Sequence, residues 1–133
     1  MERPKLRIVV VDDSRDAADT LVATLETLGQ DVRVAYDGDS ACARIREFQP
    51  DLAILDIAMP GLSGHELAKR LRADPSIGAL KLVALTGYGL PADRKFALAS
   101  GFDAHYAKPI DLATLEAILA ETAAAREPLS RPA

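Results

Sequence analysis

The sequence predicts an α/β protein, with one five-stranded parallel sheet carrying helices on both faces. Three observations predict it. Strand and helix patterns alternate five times along the chain, and such strict alternation implies right-handed crossovers and a parallel sheet. The runs Ile8-Val9-Val10-Val11 and Leu52-Ala53-Ile54-Leu55 are continuously apolar, as in strands covered on both sides. At 133 residues the chain is long enough for one domain with a proper core and too short for two ordinary ones.

Leu6 to Val11 reads as the first strand. A helix follows over Ser14 to Leu28, with Ala18, Leu21, Val22, Leu25 and Leu28 as one apolar stripe, and Gly29 sits where a left-handed residue would end it. Asp31 to Ala35 is a short second strand. The next helix runs from about Ser40 to Phe48, with Ala41, Ile45 and Phe48 inward and Pro50 closing it. The third strand is Leu52 to Asp56. Ser63 caps a third helix in a capping-box pattern with Glu66, and Leu67 and Leu71 form its apolar side. Lys81 to Thr86 is the fourth strand. Pro91 to Ser100 is a helix begun by proline and ended by Gly101. Its apolar stripe is the weakest of the five, which marks it as the movable part. Ala104 to Ala107 is a short fifth strand. Asp111 caps a last helix to about Ala125, with Leu112, Leu115, Ile118 and Leu119 as its buried edge. Residues 1–125 are thus expected to form the domain. Residues 126–133, with two prolines and no apolar periodicity, read as a flexible tail.

Composition narrows the function. A net charge of −4 argues against nucleic-acid binding by this domain. No stretch approaches the ~20 apolar residues of a membrane span, and no signal peptide opens the chain. The single Cys42 excludes an internal disulfide and fits a reducing compartment, so the expected location is cytoplasmic. Cys42 itself reads as a small apolar residue on a helix.

The chemistry gathers at the strand ends. Asp12 and Asp13 end the first strand, Asp56 the third and Thr86 the fourth, and Lys108-Pro109 follows the fifth. In an open parallel sheet, ligands collect just past these carboxyl ends. Two like charges about 4 Å apart cost roughly 4 kcal/mol at an effective dielectric of 20, so three converging carboxylates call for a hard divalent cation. Singly, each residue has a plainer reading: Asp13 as a helix cap, Thr86 as a β-branched strand residue, Lys108 as a surface charge. Together they form an organised polar site on an apolar scaffold.

The segments Val9-Val10-Val11-Asp12-Asp13, Leu55-Asp56-Ile57-Ala58-Met59-Pro60-Gly61, Ala84-Leu85-Thr86-Gly87 and Lys108-Pro109 resemble those of the receiver domain of bacterial two-component response regulators. The resemblance covers Leu6 to about Ala125. It implies a doubly wound, flavodoxin-like fold of strand order 2-1-3-4-5 and phosphorelay signalling. Asp56 would be the phosphoacceptor, and Asp12, Asp13, Asp56 and the backbone carbonyl of Ala58 would hold Mg²⁺ (or Mn²⁺). Thr86 would bind the phosphoryl group and shift with it, and Lys108 would pair with a phosphoryl oxygen. Lys108-Pro109 is expected to be cis. The phosphodonor would be a sensor histidine kinase or a histidine phosphotransfer protein. The output would pass to an unidentified downstream protein through the face made by the fourth helix, fifth strand and last helix. The state would be a monomer or a weak phosphorylation-dependent dimer. Such a domain is no enzyme beyond its own phosphorylation and dephosphorylation.

Two positions depart from a typical receiver. Ala58 and Tyr88, each two residues beyond Asp56 and Thr86, are where relatives often carry polar residues that align the hydrolytic water. Ala58 cannot do so and Tyr88 would partly cover the phosphoryl group, so a long-lived phospho-form is expected. The family's switch aromatic, three residues before the lysine, is His105 here, with Tyr106 adjacent as the alternative. The stretch Gly101-Phe102-Asp103-Ala104-His105 is similar to receivers joined to hybrid sensor kinases. About eight residues follow the last helix, too few for a DNA-binding module. A stand-alone regulator and a receiver from a longer chain both remain open.

Three rivals fare worse. A haloacid-dehalogenase-type phosphatase needs a second acid at position 58. A flavodoxin-like cofactor binder needs a Ser/Thr/Gly-rich first loop in place of Asp12-Asp13-Ser14. A zinc-protease helix begun by His65-Glu66 would need its second histidine at Lys69.

Overall fold

The computed structural model describes residues 5–57, 63–87 and 91–126, with only the backbone of 91–94 and 126. Its elements run β1 (Arg7–Val11), α1 (Arg15–Thr27), β2 (Asp31–Ala35), α2 (Gly38–Phe48), β3 (Leu52–Asp56), α3 (Gly64–Ala73), β4 (Lys81–Thr86), α4 (Pro91–Ser100), β5 (Ala104–Ala107) and α5 (Leu112–Arg126). All strand pairs are parallel and the order is β2-β1-β3-β4-β5. The doubly wound fold class is therefore as expected.

Alternation along the central strands divides the core in two. Val9, Val11, Ala53, Leu55, Leu82 and Ala84 point toward Ala41 and Ile45 of α2, Leu67 and Leu71 of α3, and Ala97 of α4. Ile8, Val10, Leu52, Ile54, Val83 and Leu85 point toward Ala18 and Leu25 of α1 and Leu115, Ile118 and Leu119 of α5. Both faces of β1, β3 and β4 are covered, which is why these strands are uniformly apolar in sequence. Half-buried Cys42 packs against the first cluster, and burial pushes its thiol pKa up.

Helix starts are set by local side chains. Ser14, Asp37, Ser63 and Asp111 accept hydrogen bonds from the backbone N–H three residues on, at 3.4, 2.7, 3.3 and 2.7 Å. Asp37 starts α2 at Gly38, two residues ahead of the expected Ser40, because an aspartate cap outranks the onset of apolar periodicity. Gly29 and Gly101 take φ of 83° and 112° after α1 and α4, a region that favours glycine. Helix α5 extends through Arg126, so the expected boundary at 125/126 falls inside it; residues 127–133 lie outside the described residues.

One core assignment needs correction. Leu112 is 53% exposed rather than buried. In the first turn of α5 it lines an open groove with Asp16, Ala17, Thr20 and Leu21 of α1. The true inner edge is Leu115, Ile118, Leu119 and Ala123, with Thr122 donating to Ile118 O. In α4, residues 95–100 bury Ala97 and Ser100, while Phe96 and Leu98 are 55% and 45% exposed. Among the described residues, no helix is long and apolar enough to cross a membrane.

Candidate functional site

The strand register brings the polar residues together. Val11 pairs with Leu55, Asp56 with Leu85, and Thr86 with Ala107, so the ends of β1, β3, β4 and β5 share one rim. Backbone bonds continue past the strands: Asp12 N–H donates to Ala35 O, Ile57 N–H to Leu85 O, and Lys108 N–H to Thr86 O at 2.7 Å. Each functional side chain therefore leaves from paired, rigid backbone. Lys108-Pro109 is cis, as expected.

Asp12, Asp56 and Thr86 are buried, while Asp13 is exposed at the mouth. Carboxylate oxygens of Asp12, Asp13 and Asp56 lie within 4.8 Å of one another. Lys108 Nζ reaches Asp12 Oδ2 at 2.9 Å and Asp56 Oδ2 at 3.0 Å. Burial pulls the Lys108 pKa down, but hydrogen bonds and charge attraction from Asp12 and Asp56 outweigh it, leaving the ammonium above its ordinary 10.5. Three carboxylates facing one ammonium leave two negative charges unbalanced, the charge of one divalent cation. The donors are hard oxygens, which suit Mg²⁺, Mn²⁺ or Ca²⁺ rather than a soft metal. Asp12 Oδ1 also accepts from Ser14 N–H at 2.9 Å, which fixes its carboxylate plane.

The structure separates His105 from Tyr106. His105 pairs with Ala84, whose side chain is in the α2–α3–α4 cluster, and so shares the face of Thr86 two residues further on. Its Nε2 is buried and has no hydrogen-bond partner among the described residues. Tyr106 packs on the opposite face, against the α1–α5 cluster. Ala58 and Tyr88 lie outside the described residues.

Gly64 escaped the sequence reading. A Cβ there would fall 2.7 Å from both Asp56 O and Ile57 Cα, and Gly64 N–H donates to Ile57 O at 3.1 Å. The available signal was a glycine at the first position of a helix just after its serine cap, where a better helix former would otherwise stand. Gly64→Ala is expected to push α3 off the Asp56 backbone. It should lower stability by about 1–3 kcal/mol, as overpacking does, and weaken divalent-metal binding. Thermal melts and metal titration check this, and wild-type values for both would refute the close approach.

The response regulator receiver domain model matches residues 8–120. A DNA-binding response regulator, MtrA of Mycolicibacterium smegmatis, is 37% identical over 109 residues, covering 82% of this chain and 46% of that relative. This chain therefore spans about half the length of that curated relative. A putative response regulator of Chloroflexus aurantiacus superposes with TM-score 0.84 at 29% identity, covering 91% of this chain and 99% of the other. The Saccharomyces cerevisiae Ssk1 receiver domain, solved with the histidine phosphotransfer protein Ypd1, gives TM-score 0.81 at 27% identity, covering 89% and 88%. Strand order, family model and neighbours agree, and the chain belongs to the response regulator receiver domain family, the phosphorelay module of two-component signalling.

Proposed function

We propose that Asp56 is the phosphoacceptor of this receiver, and that residues 1–125 act as one such domain. The observation that carries the reading is the Lys108 ammonium bridging buried Asp12 and Asp56, with Asp13 alongside. A carboxylate can attack phosphorus as a nucleophile. The Asp56 Oδ–P bond forms as the P–N bond of a phosphohistidine, or the P–O bond of acetyl phosphate, breaks and the leaving group takes the bonding pair. Lys108 turns from the carboxylates to a phosphoryl oxygen, and the Thr86 hydroxyl donates to another. Asp12, Asp13, Asp56 and the Ala58 carbonyl hold Mg²⁺ or Mn²⁺. When bound, the ion neutralises charge on the transferring group. The domain promotes only its own phosphorylation and dephosphorylation.

The donor is a sensor histidine kinase or a histidine phosphotransfer protein, a reading supported by the Ypd1-bound neighbour. The site of action is the cytoplasm. The response passes through Thr86 to His105, because these share a face and Tyr106 does not. An unsatisfied buried nitrogen costs about 1–3 kcal/mol, a cost that a shift of His105 Nε2 toward water would relieve. Movement there alters the face of α4, β5 and α5, where a downstream protein or a second copy of the chain would dock.

Metal dependence tests the reading. Intact-mass spectrometry after incubation with acetyl phosphate should show one added phosphoryl group with Mg²⁺ and none in chelator. Asp13→Ala should lose the Mg²⁺ requirement's binding step and its adduct while melting no lower than wild type, since one of three repelling carboxylates is gone. A clear destabilisation with metal binding intact would make Asp13 a structural residue and not a metal ligand.

A further inference from the structure

Residues 63–65 connect the Asp56 backbone to α4. On one side, Gly64 has no slack against Asp56 and Ile57. On the other, the ring of His65 lies on that of Phe96, with centroids 3.9 Å apart and planes at 10°. His65 Nδ1 is 3.0 Å from Ser100 Oγ. Ser100 is 3% exposed and donates its hydroxyl hydrogen to Phe96 O at 2.9 Å. With that hydrogen given away, the Ser100 oxygen accepts from His65, so Nδ1 is the donor. The edge of Phe102 faces the same imidazole at 6.3 Å.

We propose that His65 is a positioning residue that passes the state of the Asp56 pocket to α4. Gly64 abuts the Asp56 and Ile57 backbone, so a shift there is carried along the first turn of α3 to His65. There it meets a stacked ring and a part-buried hydrogen bond on α4. This route through α3 is separate from the one through Thr86 and His105. The His65-Glu66 pair is accordingly a helix–helix tie and not half of a metal motif. The inference rests on Asp56 being the phosphoacceptor.

Amide spectra of the ¹⁵N-labelled chain with Mg²⁺, before and after adding beryllofluoride, test it in wild type, His65→Phe and Ser100→Ala. His65→Phe keeps a flat ring on Phe96 but has no N–H to donate, and Ser100→Ala removes the acceptor while favouring the helix. In both variants the beryllofluoride shifts at residues 12, 13 and 56 should keep their wild-type size. Those at 95–100 should fall by roughly half or more, as expected when a coupling contact is lost. His65→Gln, which returns an N–H donor, should restore part of the response. If His65→Phe does not fold, Ser100→Ala carries the test alone. Undiminished shifts at 95–100 in the folded variants overturn the inference and leave the Asp56 reading intact. A wild type whose residue 56 does not respond overturns the Asp56 reading, and this inference with it.

Discussion

Asp56→Asn is expected to reduce phosphoryl incorporation to background while leaving the fold intact. The amide oxygen that replaces the carboxylate is neutral and a poor nucleophile toward phosphorus, so no acyl phosphate can form at that position. The substitution nevertheless keeps an acceptor for Lys108, which lies 3.0 Å from Asp56 Oδ2. It also removes one of three mutually repelling acids that lie within 4.8 Å of one another, so the melting temperature should hold or rise. Intact mass after acetyl phosphate treatment and a thermal melt measure the two halves independently. An Asn variant that still takes up one phosphoryl group at the wild-type rate would place the acceptor elsewhere.

Lys108→Met should lower stability markedly. It strips the cation from two carboxylates that are each more than nine-tenths buried. Breaking a fully buried pair costs about 3–5 kcal/mol. Here the lysine side chain keeps 30% of its surface in water, and that screening reduces the expected loss to about 1–3 kcal/mol in chelator. Mg²⁺ should recover most of it by binding only the folded state, worth about 2.7 kcal/mol at a hundred times its dissociation constant. The pH dependence has a definite sign. Because the Lys108 pKa is raised on folding, its contribution is complete below 10.5 and is lost as pH rises through the higher folded value. The gap between wild type and variant should therefore be flat through neutral pH and close in strong alkali. Denaturant melts from pH 6 to pH 11, with and without Mg²⁺, are the measurement. Equal stability of the two proteins in chelator at pH 7 would mean that Lys108 does not hold the acid pair.

Much of the architecture was legible because it is written in short-range patterns. The central strands Leu52–Asp56 and Lys81–Thr86 lie where their apolar runs do, since a strand buried on both faces tolerates little interruption, and the edge strands Asp31–Ala35 and Ala104–Ala107 also keep their expected bounds. Caps act over three residues, so Ser63 and Asp111 could be recognised without knowing the fold, whereas the cap of α1 is Ser14 and not Asp13. Asp12, Asp13, Asp56, Thr86 and Lys108 stood out for a related reason: a parallel sheet sends every strand end to the same rim.

Contacts between distant segments were decided only by packing. Lys108 meets Asp12 across 96 residues of chain, and no local pattern states that distance or that one ammonium would bridge two carboxylates. Leu112 fits the apolar stripe of α5, yet it is exposed because the groove it lines beside α1 is open to water. His105 and Tyr106 are equivalent as neighbours in sequence; the register against Ala84 and Leu85 puts them on opposite faces. The closeness of Gly64 to Asp56 and the clasp of His65 on Phe96 and Ser100 likewise depend on where α3 settles. Periodicity and capping specify which elements form and which way they face, because both act within a few residues. The ångström-scale approaches that make a site are set by the joint packing of all of them.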